Sequence, residues 1–237
     1  MKRLANWLSL HQPKTILDVA SGAGNFIAIL KSLYDDYDSI VGIDSLAYAV
    51  NSAKKNYRDD SRISFEQMDA ANLTFHDASF DLVVLSNSLH HLSDQVSVLS
   101  EMARVVKPGG YVLISEMIAN DLSDAQISHL KIHHFAAKID RYFGETHENT
   151  YTQKTILNIL SAMPISIEEH WHLFYTRTGT TSDDEITWLN TTLDKMISRV
   201  NNQQLQDELK QEATEIKTYL DRYGFDSATT LIVVMKR

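Results

Sequence analysis

The stretch Leu17-Asp18-Val19-Ala20-Ser21-Gly22-Ala23-Gly24-Asn25-Phe26 decides the fold. An apolar run that begins at Thr15 leads into a turn with two glycines, and a helical pattern covers about residues 25–34. Glycine lets the backbone approach a ligand closely, because no Cβ is in the way. In open α/β sheets, ligands bind at the carboxyl ends of the strands, where such turns lie. The stretch therefore predicts a ligand-binding turn after the first strand of an α/β sheet.

Strand and helix patterns alternate over residues 1–117. Four further strands are predicted at residues 39–43, 62–68, 80–86 and 111–117, and further helices at about 45–57 and 95–106. Lys107-Pro108-Gly109-Gly110 is a strong breaker between the last helix and the last strand. The N-terminus has no sustained apolar core or cleavage site, so it is interpreted as a helix and not as a signal peptide. Helices between strands indicate parallel pairing, and hence a doubly wound α/β sheet.

The second half is predicted to complete the sheet and to add a cap. Strands are expected at residues 165–175 and 228–236, and helices at about 121–143, 152–162 and 183–223. The strands would make the sheet seven-stranded and mostly parallel, and segments 118–164 and 176–226 would form a helical cap. This cap is expected to cover the carboxyl edge, exclude water and supply a substrate pocket. Residues 1–237 are thus interpreted as a single domain with a core at 1–117.

Composition excludes several classes of protein. The formal net charge of −9 argues against a nucleic acid as the main partner, because phosphate binding needs clustered Lys and Arg. Apolar runs such as Leu82–Leu85 are too short to span a membrane. The absence of cysteine excludes disulfides, thiolate metal ligands and a cysteine nucleophile. With no export signal, the cytoplasm is the expected location, and nothing indicates an oligomeric state.

Three acidic residues follow the ends of three successive strands: Asp18, Asp44 and Asp69. Because the strands are parallel neighbours, the three acids are expected to line one edge of the sheet. Asp18 suits a ligand that carries a positive amine, and Asp44 can accept hydrogen bonds from both hydroxyls of a ribose. Asp69 can accept a hydrogen bond from an adenine amine. An amine, a ribose and an adenine amine in this order describe S-adenosylmethionine.

Plainer interpretations of these residues exist. Asp44 can cap the helix that follows it, and Asp69 can be a loop aspartate that stabilises a turn. The turn could also bind a dinucleotide, but that fingerprint places Ile27 where a third glycine belongs, counting from Gly22. The dinucleotide interpretation also leaves Asp18 without a role.

Residues 15–117 resemble class I S-adenosylmethionine-dependent methyltransferases. Besides the acids, the resemblance includes Ser79-Phe80-Asp81-Leu82-Val83, Leu89-His90-His91-Leu92 and Arg104-Val105-Val106-Lys107-Pro108-Gly109-Gly110. It points most to the branch that includes ubiquinone/menaquinone-biosynthesis-type enzymes and their small-molecule relatives. It implies a Rossmann-like fold, S-adenosylmethionine as the cofactor, and transfer of a methyl group to a small-molecule oxygen, nitrogen, carbon or sulfur acceptor.

The resemblance also implies which residues bind the cofactor. They are Asp18, Ala20, Gly22 and Gly24 for the methionine part, Asp44 and Ser45 for the ribose, Asp69 and Ala70 for the adenine, and Ser86 beside the sulfonium. The family usually has glycine where this chain has Ala20, and often cysteine at Ser21. From the alanine we expect only a slight displacement of the methionine end.

Candidates for removing a proton from the acceptor follow the fourth and fifth strands: His90, His91 and Glu116. The cofactor is already activated, so the protein mainly has to hold the acceptor in line and, where needed, accept its proton. A neutral histidine is well matched to that task near neutral pH. The alternative is that both histidines are structural.

A second histidine group comprises His129, His133, His134, Asp140 and His147. On a helix His129, His133 and Asp140 fall within roughly 40° of one another, and His147 follows Gly144, where the chain can fold back. The group can bind a divalent metal, or contact the acceptor in a pocket with His133 as a further catalytic candidate, or form a solvated helix edge. The main interpretation includes no metal. Metal-assisted methyl transfer and non-catalytic cofactor binding are the alternatives.

Overall fold

The computed structural model describes residues 1–174 and 181–237. The strands in these ranges are β1 (Thr15–Val19), β2 (Ser39–Asp44), β3 (Ile63–Gln67), β4 (Phe80–Ser86), β5 (Val106–Met117), β6 (Ser166–Leu173) and β7 (Thr230–Lys236). The helices are α1 (Lys2–His11), α2 (Asn25–Leu33), α3 (Ala47–Asn56), α4 (Gln95–Val105), α5 (Asp124–Tyr142), α6 (Gln153–Leu160), α7 (Asp183–Ser198) and α8 (Gln203–Tyr223). Every predicted strand and helix has a counterpart, and the bounds differ most at β5.

The strands form one sheet in the order β3-β2-β1-β4-β5-β7-β6. The pairs β1–β2, β2–β3, β1–β4 and β4–β5 are parallel. The chain moves outward from β1 to β3 and then crosses to the other side of β1 with β4. Ligands bind beyond the carboxyl ends of the strands where the strand order reverses in this way. The predicted doubly wound fold is confirmed, and its reversal point lies between β1 and β4.

Strand β7 runs antiparallel to β5. Near the start of β5, the Gly109 N–H donates to the carbonyl of Arg237 at 2.9 Å, and the Arg237 N–H donates to the carbonyl of Gly110 at 3.1 Å. Just past the end of β5, the Ile118 N–H donates to the carbonyl of Thr229 at 3.0 Å. The end of β7 therefore lies beside the start of β5, and the sheet is mostly parallel, as predicted.

Strand β5 begins at Val106, whereas the sequence predicted a start at Tyr111. The Pro-Gly-Gly segment does end α4, but the chain then continues in extended form. The register with β4 shifts between Phe80 and Leu82, so a β-bulge takes up the additional residues. Proline and glycine are compatible with a strand at such a bulge, which is why the predicted start was wrong.

The central strands are buried on both faces. Leu82, Val83, Val84 and Leu85 of β4 are all fully buried. Successive side chains of a strand point to opposite faces, so four consecutive buried residues require cover on both. Apolar β4 is thus typical of a central parallel strand. Asp18 on neighbouring β1 is a buried polar exception.

The chain divides into two compact units. The first comprises Met1–Glu116, Lys154–Leu173 and Leu231–Arg237, which hold most of the sheet, and the second comprises Met117–Gln153 and Phe174–Thr230. Residues 154–164, which the sequence assigned to the cap, are grouped with the first unit. Tyr175 of the predicted strand 165–175, and residues 176–180 of the second cap segment, lie outside the described residues.

Helices α5, α7 and α8 share an apolar core in the second unit. Phe135 of α5, Leu193 of α7 and Leu209 of α8 are all fully buried in it. A capping box starts α5, because Ser123 and Gln126 accept hydrogen bonds from each other's backbone N–H. Across residues 1–174 and 181–237, no helix has the length and apolar character needed to cross a membrane.

Candidate cofactor and active site

A pocket of about 220 Å³ lies at the carboxyl ends of β1 and β4. The lining residues are Asp18, Ala20, Ser21, Gly22, Asn25, Phe26, Ser86 and Asn87. This is the reversal point of the sheet, where the fold places ligands. Four of the lining residues, Asp18, Ala20, Gly22 and Ser86, are among the predicted cofactor-binding residues, so the structure brings them together.

The other four lining residues were not predicted as site residues. Ser21, Asn25 and Phe26 belong to the stretch of residues 17–26 that decides the fold, so their positions in that stretch were the available signal. Asn87 follows β4 directly and has a φ of 47°. Asparagine adopts this left-handed conformation more readily than most residues, so an asparagine at a strand end was a second signal.

Asp18 is a buried acid near the end of β1. The residue is 1% exposed, and neither carboxylate oxygen has a hydrogen-bond partner among residues 1–174 and 181–237. Burial, and secondarily the negative charge of Asp44, raise the pKa of Asp18 to about 8. Burying a polar group without a partner costs free energy, so such a group marks a candidate functional site. An ammonium group would satisfy this carboxylate, and the methionine part of S-adenosylmethionine carries one.

The two glycines of the turn have different environments. Gly22 has a φ of 56°, and a Cβ built there would meet no atom of the described residues within 4 Å, so its half-buried backbone borders open space. A Cβ on Gly24 would lie 2.5 Å from the Tyr57 ring. Packing against Tyr57 therefore accounts for Gly24, and its contact with the cofactor stays a prediction.

Ala20 occupies a conformation that favours glycine, with a φ of 53°. Because a Cβ is strained there, Ala20→Gly is expected to stabilise the protein by about 0.5–1 kcal/mol. Thermal unfolding should then show a rise in Tm of about 2 °C. Ala23→Gly is the matched control, because Ala23 lies in the same turn without a positive φ. It should lower the Tm, and an equal rise in both variants would contradict the assignment of strain to Ala20.

Asp44 holds the turn through its backbone. One carboxylate oxygen accepts a hydrogen bond from the Gly22 N–H at 2.9 Å, and the other accepts from the Leu46 N–H at 2.9 Å. The second bond is local to the turn before α3. The N-cap residue of α3 is Leu46 and the helix has no side-chain cap, so the interpretation of Asp44 as its cap was wrong. Each oxygen keeps a further lone pair, so the arrangement is also compatible with ribose hydroxyls. The ribose contacts of Asp44 and of exposed Ser45 stay predictions.

Asp69 is exposed, and its carboxylate accepts a hydrogen bond from the Ala71 N–H at 2.9 Å. This local bond is the turn-stabilising arrangement that was the plainer interpretation. Asp69 and Ala70 are not among the residues that line the pocket. Their contact with adenine stays a prediction.

His90 and Glu116 form a buried pair, and both side chains are fully buried. His90 lies in a short 3₁₀ turn (Leu89–His91), and Glu116 lies near the end of β5. One Glu116 oxygen is hydrogen-bonded to Nδ1 of His90, and the other accepts from the Leu89 N–H at 3.1 Å. Because the carboxylate accepts at Nδ1, the proton of the neutral ring resides there and Nε2 carries the lone pair. The exposed His91 ring lies 4.4 Å from the His90 ring, between centroids.

The predicted histidine group of the second half separates into two parts. In the second unit, Nδ1 of His147 lies 2.8 Å from a carboxylate oxygen of Asp140, and Nε2 of His147 lies 3.1 Å from Nε2 of His133. His129 instead accepts a hydrogen bond from the Ala228 N–H at 2.9 Å. Burial lowers the pKa of His129. With His147 only 4% exposed, the group is not a solvated helix edge.

Comparison with known proteins identifies the first half of the chain. A family model described as a methyltransferase domain matches residues 17–114. Demethylmenaquinone methyltransferase of Bacteroides fragilis is 32% identical over 123 residues, which are 51% of this chain and 50% of that protein. Ubiquinone/menaquinone biosynthesis C-methyltransferase UbiE of Coxiella burnetii is 34% identical over 110 residues, 45% of this chain and 44% of that protein. The chain thus spans about half the length of the curated relatives it matches.

The fold is shared with solved methyltransferase structures over nearly the whole chain. A putative methyltransferase from Bacillus halodurans covers 99% of this chain and 98% of its own, with a TM-score of 0.64 and 18% identity. Phosphoethanolamine N-methyltransferase 2 of Haemonchus contortus, solved with S-adenosyl-L-methionine, covers 94% of this chain and 48% of its own, with a TM-score of 0.55 and 17% identity. The resemblance stated from the sequence is confirmed: residues 17–114 match the methyltransferase domain family, and this part of the chain is similar to the ubiquinone/menaquinone-biosynthesis enzymes.

Proposed function

We propose that the chain transfers a methyl group from S-adenosylmethionine to a small-molecule acceptor. The observation that carries the proposal is the buried carboxylate of Asp18, which lies at the reversal point of the sheet and has no hydrogen-bond partner in the part of the chain that the structure describes. S-adenosylmethionine supplies a methyl group that is already activated on its sulfonium. The residues of the pocket would then bind and orient the cofactor, with Asp18 at its ammonium group and the backbone of Gly22 beside it.

The proposed general base is His90, acting through Nε2. Glu116 is the positioning residue, because its carboxylate holds the ring in the tautomer that leaves a lone pair on Nε2. Glu116 itself is less suited to accept a proton, since each of its oxygens is already hydrogen-bonded. His90 follows Ser86 and Asn87 of the pocket by only a few residues, which supports a position near the methyl acceptor.

The proposed class of acceptor is a small ring compound with ionisable hydroxyl groups. The relatives are named as demethylmenaquinone and ubiquinone/menaquinone biosynthesis methyltransferases. Methylation of a hydroquinone on carbon or oxygen also requires loss of a proton, which gives a basic residue a task. Demethylmenaquinol and simpler hydroquinones are therefore the first acceptors to test, with amines and thiols as the comparison classes.

Incubation with S-adenosylmethionine that carries a labelled methyl group separates catalysis from binding. An enzyme moves the label to an acceptor and accumulates S-adenosylhomocysteine, whereas a non-catalytic binder retains the label on the cofactor. Binding without transfer across the oxygen, nitrogen, carbon and sulfur acceptor classes would favour the non-catalytic alternative. Absence of binding would contradict the proposal itself.

The affinity for S-adenosylmethionine is expected to fall as the pH drops below about 8. Asp18 has a raised pKa of about 8, so below that pH it must lose a proton before it can pair with an ammonium group. The affinity should fall by about tenfold per pH unit. Calorimetry in buffers of different ionisation enthalpy should show release of about one proton at pH 7. A constant affinity from pH 6 to 8 would contradict the pairing of Asp18 with the amine.

A further inference from the structure

The chain folds back after α5 and returns a histidine to the helix. Gly144 has a φ of 85°, and its N–H donates to the carbonyl of Arg141 at 3.0 Å. The Glu145 N–H donates to the carbonyl of Asp140 at 3.0 Å. The Arg141 guanidinium then holds the carbonyl of His147. This local network, which lies wholly within the second unit, fixes the position of the buried His147 ring.

Asp140 sets the tautomer of that ring. Its carboxylate lies 2.8 Å from Nδ1 of His147, so Nδ1 carries the proton and Nε2 carries a lone pair. A carboxylate on the far nitrogen is the usual support of a metal-binding histidine, because it orients the ring and raises its basicity. The Nε2 atom of His147 is directed at Nε2 of His133, at a distance of 3.1 Å.

The separation of the two Nε2 atoms matches that of two ligands on one ion. Histidine nitrogens bind zinc at 2.0–2.1 Å, so two of them in tetrahedral positions lie about 3.3 Å apart. The ring centroids of His133 and His147 are 4.9 Å apart, with 69° between the ring planes. A linear N–H···N hydrogen bond of the same length would place the centroids about 5.4 Å apart. The two rings are therefore angled toward a common point, as ligands are.

We propose that His133 and His147 bind a divalent transition-metal ion through their Nε2 atoms, with Asp140 as the positioning residue. Imidazole ligands suit zinc, nickel and copper, and two protein ligands leave the other positions to water or a further ligand. Binding requires the proton on Nε2 of His133 to move to Nδ1 of the same ring, so that both neutral rings present a lone pair to the ion. The site differs from the group read off the sequence, because the His129 ring instead accepts a hydrogen bond from the Ala228 N–H.

Calorimetry on the chelator-treated full chain tests the proposal with Zn²⁺ and Ni²⁺. We expect one ion per chain with micromolar affinity. His133→Gln and His147→Gln should each weaken binding by at least about tenfold, and Asp140→Asn by about tenfold through the orientation of His147. His129→Gln is the matched control on the same helix, and exposed His76→Gln is the surface control. Both should bind as the unaltered chain does.

A second measurement does not depend on the variants folding. Small amounts of paramagnetic Ni²⁺ added to the unaltered chain should broaden the ring signals of His133 and His147 first in the NMR spectrum. Failure of the unaltered chain to bind either ion, or binding that both pair variants retain, would overturn the proposal. Broadening that begins at other histidines would overturn it too.

Discussion

Asp18→Asn is expected to lower the affinity for S-adenosylmethionine by about 100-fold and yet to stabilise the cofactor-free protein. Asparagine keeps the size of the side chain but removes the charge that would pair with the ammonium group. Hydrogen bonds to charged groups contribute up to about 3 kcal/mol, which corresponds to roughly 100-fold in affinity. A residue with only a structural role would lose stability on substitution and leave the affinity unchanged.

The gain in stability follows from the raised pKa of Asp18. The folded protein retains a proton on this buried acid up to about pH 8, whereas the unfolded chain loses it near the model value of 3.8. The folded state binds more protons, so the stability of the unaltered protein falls as the pH rises from about 4 to 8. Asparagine does not ionise. After allowance for burying its amide, the variant should be more stable at pH 8 by on the order of 2–4 kcal/mol.

Chemical unfolding at pH 5 and pH 8, with and without S-adenosylmethionine, measures both effects. The matched control is Asp81→Asn. Asp81 is partly desolvated, but its bonds to Lys107 and Thr15 outweigh that and lower its pKa. The control should therefore lose stability and keep its cofactor affinity. A cofactor-free Asp18→Asn protein that is less stable than the unaltered chain at pH 8 would contradict the assignment of Asp18.

The sequence predicted the fold because local and long-range signals agree in its first half. The apolar run of β4 requires burial on both faces, and the Pro-Gly-Gly segment is incompatible with continuation of α4. The bulge in β5 was not predictable, because it depends on the register of Pro108 and Gly109 against β4 and β7. A Pro-Gly-Gly run has the same composition in a loop and in a bulge. Which of the two it forms depends on the neighbouring strands with which it pairs.

The part of the site at the end of β1 was predictable, because one short segment there supplies both the expected ligand contact and the turn. Asp18 and Gly22 could be named because an acid before a glycine turn has few structural explanations. The pairing of Glu116 with His90 could not be predicted, because the two residues lie at the ends of different strands. His147 was grouped with His133 and Asp140 because Gly144 allows the chain to fold back, and the structure does bring these three side chains together. Helical spacing also grouped His129 with His133 and Asp140. The His129 ring instead accepts a hydrogen bond from the backbone N–H of Ala228, which is distant in the sequence.

His90→Gln is expected to reduce the rate of methyl transfer by about 10²–10⁴-fold, the usual contribution of a general base. Glutamine can still donate a hydrogen bond to Glu116, so the buried carboxylate keeps a partner and the variant is expected to fold. What it lacks is the lone pair of a basic nitrogen. The affinity for S-adenosylmethionine should change by less than about twofold, because Asp18 and the turn of residues 20–22 would bind the cofactor.

Single-turnover kinetics with a labelled methyl group, together with calorimetry for the cofactor, separate the base role from a structural one. His91→Gln is the matched control, because His91 is the neighbouring histidine and is exposed. Its rate should stay close to that of the unaltered chain. Glu116→Gln should lower the rate and leave the cofactor affinity unchanged, since the carboxylate orients the His90 ring and does not bind the cofactor. A large loss of rate in His91→Gln with none in His90→Gln would transfer the role to His91. A loss in His90→Gln that is matched by a loss of cofactor affinity would make His90 structural.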